Sequence, residues 1–200
     1  MSNITLAASR PVLVDRLGSR SIVADLGFIA AGTALTAAAA QISIPMWPVP
    51  ITGQTFAVLL VGTSLGAMRG ALSMVLYIAL GAFGLPIFTA GKSGLAYIAG
   101  PTGGYLIGFV LAAIVVGWLA QRQWDRKVVG AFVSFLVGSI VIYAVGLPWL
   151  SVALGQLGRP NDVAATLQAG LYPFIPGDIL KAAAAGALLP LTWKLVNRSK

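Results

Sequence analysis

A carboxylate and an ammonium lie three residues apart close to the end of the chain. Asp178 and Lys181 belong to the run 173–181, whose other residues are Pro, Phe, Ile, Gly and Leu. A spacing of three places both side chains on one face of a helix. In a chain with 58% hydrophobic residues we expect that helix to lie in a membrane. An ionisable group there costs about 2.5 to 3.5 kcal/mol on insertion scales, so the pair is a candidate site for a ligand with both donors and acceptors.

The same pair also has a purely local interpretation. Pro176 suits the start of a helix, where its missing N–H is not needed. Asp178 would then lie in the first turn, where the helix dipole favours a negative charge. Lys181 could pair with it or extend its ammonium toward water. The sequence leaves both interpretations open.

Three more polar side chains lie at the ends of apolar stretches. Gln54 offers two donors and an acceptor, which could hold a ligand or fix a loop. Lys92 interrupts a very apolar stretch and is either solvated at the interface or faces a ligand carboxylate. Asp25 begins the first apolar stretch and is more simply interpreted as a helix-start residue than as a proton site.

The composition indicates one polytopic membrane domain spanning residues 1–200. Charged residues make up 9% of the chain, against roughly 25% in soluble domains, and the mean hydropathy is +0.91. The chain has no Cys, no His and no Glu, so we expect no disulfide, no metal site and no cofactor. Acid–base catalysis would rest on five Asp, Lys and Tyr, which makes an enzyme unexpected.

Six apolar stretches predict an all-α membrane protein with six transmembrane helices. They cover residues 25–42, 54–67, 71–84, 103–120, 130–151 and 177–195. A helix that crosses about 30 Å of hydrocarbon needs about 20 residues. The second and third stretches are shorter than this and could form one broken helical hairpin, with the turn at Arg69–Gly70.

The basic residues predict the orientation. One set of connections and termini carries ten of them, namely Arg10, Arg16, Arg20, Arg69, Arg122, Arg126, Lys127, Lys194, Arg198 and Lys200. The opposite connections carry only Lys92 and Arg159. By the positive-inside rule both termini are cytoplasmic, and residues 1–23 form a cytoplasmic tail. The net charge of +8 is therefore explained by basic residues on the cytoplasmic side of the membrane lipid, and we expect no nucleic-acid partner.

The three outer connections are long and rich in proline. Residues 43–53, 85–102 and 152–176 hold eight of the eleven prolines. Such loops on one face suggest a structured cap over a pocket, with Trp47, Tyr97 and Phe174 as candidate lining residues. Aromatic residues also populate membrane interfaces, so loose surface loops stay an alternative.

Small residues recur every four positions in four stripes. They are Ala30, Ala34 and Ala38; Gly62, Gly66 and Gly70; Gly100, Gly104 and Gly108; and Gly130, Ser134 and Gly138. Each stripe permits close approach of another helix. The approaching helix can belong to the same bundle or to a partner protein.

Four segments in the same order resemble the BioY family, the biotin-binding S components of energy-coupling factor (ECF) vitamin transporters. They are residues 48–55, 81–88, 100–109 and 176–181. The resemblance implies a six-helix S component in the cytoplasmic membrane of a prokaryote. It also implies a biotin cavity near the extracytoplasmic face, covered by the first two outer loops.

The resemblance assigns roles to particular residues. Gln54, Asp178 and Lys181 would hold the bicyclic head of biotin, and Trp47, Tyr97 or Phe88 would pack against the rest. Lys92 departs from the small polar residue typical of its position. The stripe Ala30, Ala34 and Ala38 would dock onto the transmembrane T component. Because the chain has no phosphate loop, ATP hydrolysis would come from separate ATPase subunits.

Two other functions remain as alternatives. A stand-alone proton-coupled carrier could use Asp178 as its proton site, although five Asp and no Glu argue against it. An intramembrane enzyme would need a nucleophile and a base in one plane, and the chain has no His, Cys or Glu to form that pair.

Overall fold

The structure, a computed structural model, describes residues 11–16 and 21–198. The α-helices in this part of the chain are α1 Ile22–Gln41, α2 Gln54–Leu65, α3 Ala67–Ala82, α4 Leu95–Ala99, α5 Gly103–Gln121, α6 Val128–Gln156, α7 Val163–Gly170 and α8 Ile175–Arg198. Short 3-10 helices cover Leu13–Arg16, Thr89–Gly91 and Trp124–Arg126. A two-stranded hairpin, β1 Ser43–Ile44 and β2 Ile51–Thr52, pairs antiparallel in the first outer connection.

The all-α membrane fold is confirmed, and each of the six predicted stretches forms a helix. Four of these helices, α1, α5, α6 and α8, are long and apolar enough to cross a membrane. The other two, α2 and α3, have 12 and 16 residues. Six crossings and cytoplasmic termini therefore stay predictions. Of the residues used for the orientation, Arg10, Arg20 and Lys200 lie outside the described residues.

The turn between α2 and α3 lies at Gly66, so the prediction of a turn at Arg69–Gly70 is wrong. Gly66 has φ +85°, a backbone conformation that side chains with a Cβ rarely adopt. Arg69 and Gly70 instead lie in the first turn of α3. The two short helices consequently follow each other with one residue between them.

The stripes that contain glycine pack inside the bundle. A Cβ on Gly62 would lie 2.8 Å from the backbone of Ala113, and one on Gly108 would lie 3.0 Å from that of Ile142. These distances let α2 approach α5, and α5 approach α6, almost backbone to backbone. The stripe without glycine behaves differently, since Ala30, Ala34 and Ala38 are all exposed on α1.

The bundle has two chemically different ends. At the basic end, residues 122–127 contact the last turns of α8, where Trp193 Nε1 donates to Asp125 Oδ2. Arg126 Nη2 also donates to the Pro11 carbonyl at 3.4 Å. At the loop end, the connections 42–53, 83–102 and 157–174 meet one another. Trp149 Nε1 there donates to the Gly100 carbonyl at 2.9 Å.

A buried ion cluster connects three segments at the basic end. Arg69 of α3 is 2% exposed, with Nη2 at 2.6 Å from Asp15 Oδ1 and Nη1 at 3.1 Å from Asp25 Oδ1. Asp15 lies in the segment 11–16, where Val12 is fully buried, so this part of the predicted tail packs against the helices. Asp25 at the start of α1 is therefore an ion-pair partner, in agreement with its interpretation as a helix-start residue.

Replacing Arg69 with methionine should destabilise the fold strongly. The variant removes the cation that two buried carboxylates share, which costs about 3–5 kcal/mol of unfolding free energy. Unfolding of the detergent-solubilised protein by sodium dodecyl sulfate measures this loss. Lys127→Met is the matched control, because Lys127 is an exposed cation at the same end. Equal stability of the two variants would contradict a stabilising role for the cluster.

Candidate ligand-binding site

Gln54 connects three segments at the loop end. It begins α2 and is 5% exposed. Its Nε2 donates to the Tyr77 hydroxyl at 2.8 Å, and its Oε1 accepts from Thr52 Oγ1 at 3.1 Å and from Thr89 Oγ1 at 3.0 Å. These bonds hold the connections 42–53 and 83–102 against α3. They use both acceptor positions of the amide and leave one N–H for a further partner.

The Asp178 carboxylate is enclosed by side chains of α6 and α8. Asp178 is 7% exposed. Its Oδ2 accepts a very short hydrogen bond from the Tyr143 hydroxyl, and its Oδ1 lies 3.4 Å from Lys181 Nζ. Asp178 lies in the first turn of α8 and pairs with Lys181, as the local interpretation expected, and the Tyr143 hydroxyl is an additional partner.

The Lys181 ammonium points into the protein. Its Nζ donates to Thr55 Oγ1 at 2.6 Å and to the Thr52 carbonyl at 3.2 Å, in addition to its contact with Asp178. All three N–H groups of the ammonium therefore have partners. The alternative in which Lys181 extends outward to water is wrong, and the side chain instead joins α8 to the start of α2.

These polar groups border an inner cavity of about 40 Å³. This is well below the roughly 300–1,000 Å³ of ligand pockets, so a ligand larger than a few water molecules enters only if the walls move apart. The inner cavity is lined by Val49, Pro50, Thr52, Gln54, Thr55, Thr89, Tyr97, Thr102, Tyr105, Leu106, Phe109, Tyr143, Phe174 and Lys181. Mostly apolar and aromatic walls with a few placed polar groups suit a ligand that has a polar head and an apolar body.

An outer cavity of about 380 Å³ adjoins the inner one. Both are lined by Pro50, Thr89, Tyr97 and Thr102. Trp47 and Lys92 line the outer cavity alone. Lys92 Nζ lies 5.9 Å from the centre of the Tyr97 ring. The loop end thus contains two adjacent cavities with Tyr97 in the wall of each.

The structure distributes the predicted site residues over these two cavities. Gln54, Tyr97 and Lys181 line the inner cavity, and Asp178 lies behind its wall, bonded to Lys181. Trp47 and Lys92 line the outer cavity instead.

The remaining aromatic candidates differ in exposure to the inner cavity. Phe174 lines it, as expected. Phe88 is fully buried and stacks on Tyr97 with 4.9 Å between ring centres. Phe88 therefore supports the wall of the cavity from behind.

Sequence reasoning missed Tyr143, the closest partner of Asp178. It lies in the middle of the apolar helix α6, where a buried phenol needs a hydrogen-bond partner. That requirement was a usable signal, although it does not identify the partner. Tyr105 was missed as well; it lines the inner cavity and donates to the Gly170 carbonyl at 3.0 Å, which connects α5 to the end of α7.

In the described part of the chain, no three side chains of the His, Cys, Asp or Glu types come close enough together to hold a metal ion. The polar groups of the inner cavity are hydroxyls, an amide, an ammonium and a nearby carboxylate. This set is suited to hydrogen bonding with an organic ligand.

Comparison with known families identifies one match over almost the whole chain. The profile of the BioY family matches residues 9–198. A protein of Pyrococcus horikoshii named as a probable biotin transporter BioY is 40% identical over 161 residues, covering 80% of this chain and 91% of the relative. A biotin transporter BioY of Thermotoga maritima is 39% identical over 162 residues, covering 81% and 90%.

The fold also matches a solved structure. The S component for biotin from an ECF-type ABC transporter superimposes with a TM-score of 0.73 at 30% sequence identity. The match covers 86% of this chain and 92% of that one. Both sequence and fold therefore indicate the same family.

Removing the Tyr143 hydroxyl should lower stability. In Tyr143→Phe the buried Asp178 carboxylate loses one hydrogen-bond partner, which costs about 1–3 kcal/mol. The unfolding free energy in mixed detergent micelles measures the effect. Tyr172→Phe serves as the control, because Tyr172 is exposed at the same end and should change stability by less than about 0.5 kcal/mol. A Tyr143→Phe variant as stable as the control would show that the hydroxyl does not support Asp178.

Proposed function

The chain belongs to the BioY family, and we propose that it is the substrate-specific subunit of an ECF-type ABC transporter, binding biotin for uptake across the cytoplasmic membrane of a prokaryote. The observation that carries the proposal is the inner cavity, where Lys181 and Gln54 lie within a BioY fold. As a transport subunit the chain would catalyse no reaction.

The polar groups complement the ureido ring of biotin. That ring has two N–H donors and one carbonyl acceptor. Lys181 can donate to the carbonyl, Asp178 can accept from an N–H, and the free N–H of Gln54 can donate as well. At present Lys181 bonds to Thr55 and Asp178 bonds to Tyr143, so binding would exchange internal hydrogen bonds for bonds to the ligand.

The apolar part of biotin suits the remaining walls. The thiophane ring and valeryl chain would lie against Tyr97 and Phe174, with Trp47 further out toward the outer cavity. Burying this surface contributes roughly 25 cal/mol per Å². The polar head then determines the orientation, and the apolar body supplies much of the binding free energy.

The exposed alanine stripe on α1 suits a partner helix. Ala30, Ala34 and Ala38 face outward. The opposite face of α1 packs inside, where Thr33 Oγ1 donates to the Ser73 carbonyl at 2.9 Å. We propose that the T component of the transporter docks on this stripe, since small side chains permit close approach. Separate ATPase subunits would supply the energy, because this chain contains no phosphate loop.

A stand-alone proton-coupled carrier is the second candidate, favoured by one observation. Asp178 is a buried carboxylate behind the wall of the inner cavity, where a proton could be bound and released. Biotin uptake driven by a pH gradient into vesicles without any ATPase would support it. Uptake that requires the ATPase subunits and ATP would support the S component instead.

Variants of the polar cluster should lose biotin affinity while staying folded. Asp178→Asn and Lys181→Met each leave a buried partner unmatched, which costs about 1–3 kcal/mol and more for a charge. Calorimetric titration of the purified protein measures the loss, with thiamine and riboflavin as control ligands. Lys194→Met is the matched control on the same helix, since Lys194 is exposed near the basic end. Wild-type affinity in both cluster variants would overturn the assignment of the site.

A bulky residue in the α1 stripe should separate binding from assembly. Ala34→Trp is expected to keep biotin affinity and to abolish co-purification with the T component and ATPases, because the indole prevents close helix approach. Ala184→Trp on α8 carries the same change at another exposed alanine and should assemble normally. Unchanged assembly of Ala34→Trp would rule out this docking surface.

A further inference from the structure

The outer cavity has two cations beside it, and neither takes part in the polar cluster of the inner cavity. Lys92 lines the outer cavity and lies against Tyr97. Arg159 follows α6 in the chain, and its Cζ is 5.3 Å from the centre of the Trp47 ring. Trp47 lines the same cavity. Tyr97 and Trp47, two aromatic residues of the cavity wall, therefore each have a cationic side chain close to the face of the ring.

Contact with an aromatic ring restricts where these cations can lie. Cation–π contacts favour positions over the ring, even when the side chain is exposed to solvent. Lys92 is accordingly held in the wall of the outer cavity, and Arg159 is held beside the Trp47 ring that lines it. In that position they raise the local concentration of anions, and the guanidinium can bind a carboxylate through two parallel hydrogen bonds.

The acidic residues do not cancel this positive potential. Asp15, Asp25 and Asp125 all lie at the basic end, bonded to Arg69 or Trp193. Asp178 is enclosed behind the wall of the inner cavity. Asp162, three residues after Arg159, is charged while it caps α7 by accepting from the Ala165 N–H at 3.0 Å, so it offsets part of the potential of the two cations.

A ligand can extend from one cavity into the other. Tyr97 and Thr102 belong to both walls, so a tail attached to a head in the inner cavity can pass them and end in the outer one. For a ligand with an anionic tail, this path ends beside Lys92 and Arg159.

We propose that Lys92 and Arg159 form an anion site that attracts and holds the valerate carboxylate of biotin, and thereby selects the acid over neutral derivatives. The proposal rests on the proposed function. It gives a binding site to the carboxylate end of the ligand, which Gln54, Asp178 and Lys181 do not hold. It gives Arg159 a role and explains a lysine at position 92, where the resemblance suggested a small polar residue.

The test compares biotin with biotin amide, in which a neutral carboxamide replaces the carboxylate at nearly the same size. Affinity and association rate are measured at low salt for the wild type, Lys92→Gln, Arg159→Gln and the double variant. Each single variant should weaken biotin about two- to fivefold, as for an exposed ion pair, and the double variant about tenfold. Biotin amide should bind all four proteins equally.

Lys127→Gln is the control, because it removes one exposed cation at the opposite end of the molecule. It should bind biotin as the wild type does. Raising the salt to about 1 M should reduce the preference of the wild type for biotin, since salt screens exposed charges.

The possible outcomes separate the two proposals. Selective loss of biotin affinity in the variants supports the anion site. Equal affinity of the wild type for both ligands, or an equal loss of both in the variants, overturns the anion site and leaves the biotin-binding function standing. Failure of the wild type to bind either ligand removes the proposed function, and the anion site with it.

Discussion

Inside an apolar bundle the Asp178 carboxylate has to be compensated, and the arrangement of the loop end follows from that constraint. Tyr143 of α6 and Lys181 of α8 supply the compensation. Lys181 in turn bonds to Thr52 and Thr55, so a single ammonium connects α8 to the first outer loop and to α2. The polar groups that a ligand needs therefore lie close together, and binding has to exchange their internal hydrogen bonds for bonds to the ligand.

Buried charges are compensated differently at the two ends of the bundle. At the basic end, Arg69 is enclosed between two carboxylates, and the cluster connects segments of the protein to one another. At the loop end, the cluster borders a cavity, so its partners can be exchanged for those of a ligand. The same class of interaction thus stabilises the fold at one end and prepares a binding site at the other. The cost of a buried charge applies in both places.

Much of the architecture could be predicted because the signals are local. Length and hydropathy identify the six long or moderately long helices, and the spacing of Asp178 and Lys181 places them on one helix face. The turn at Gly66 was not predicted, because a residue's positive φ does not change the hydropathy of the sequence. The contact between Tyr143 and Asp178 spans 35 positions and depends on how α6 packs against α8. The same holds for the division of Trp47, Lys92 and Tyr97 between two cavities, which depends on the folded loops.

The proposed site is best tested by an experimental structure of the protein with biotin bound, at a resolution that shows the orientation of the bicyclic head. We expect the ureido ring in an enlarged inner cavity, its carbonyl oxygen within hydrogen-bond distance of Lys181 Nζ and an N–H facing Asp178. In that complex Lys181 would have given up its bond to Thr55 or to the Thr52 carbonyl. Biotin bound with its ureido ring away from Lys181 and Asp178, and with their present bonds unchanged, would show that these two residues do not hold the head of the ligand.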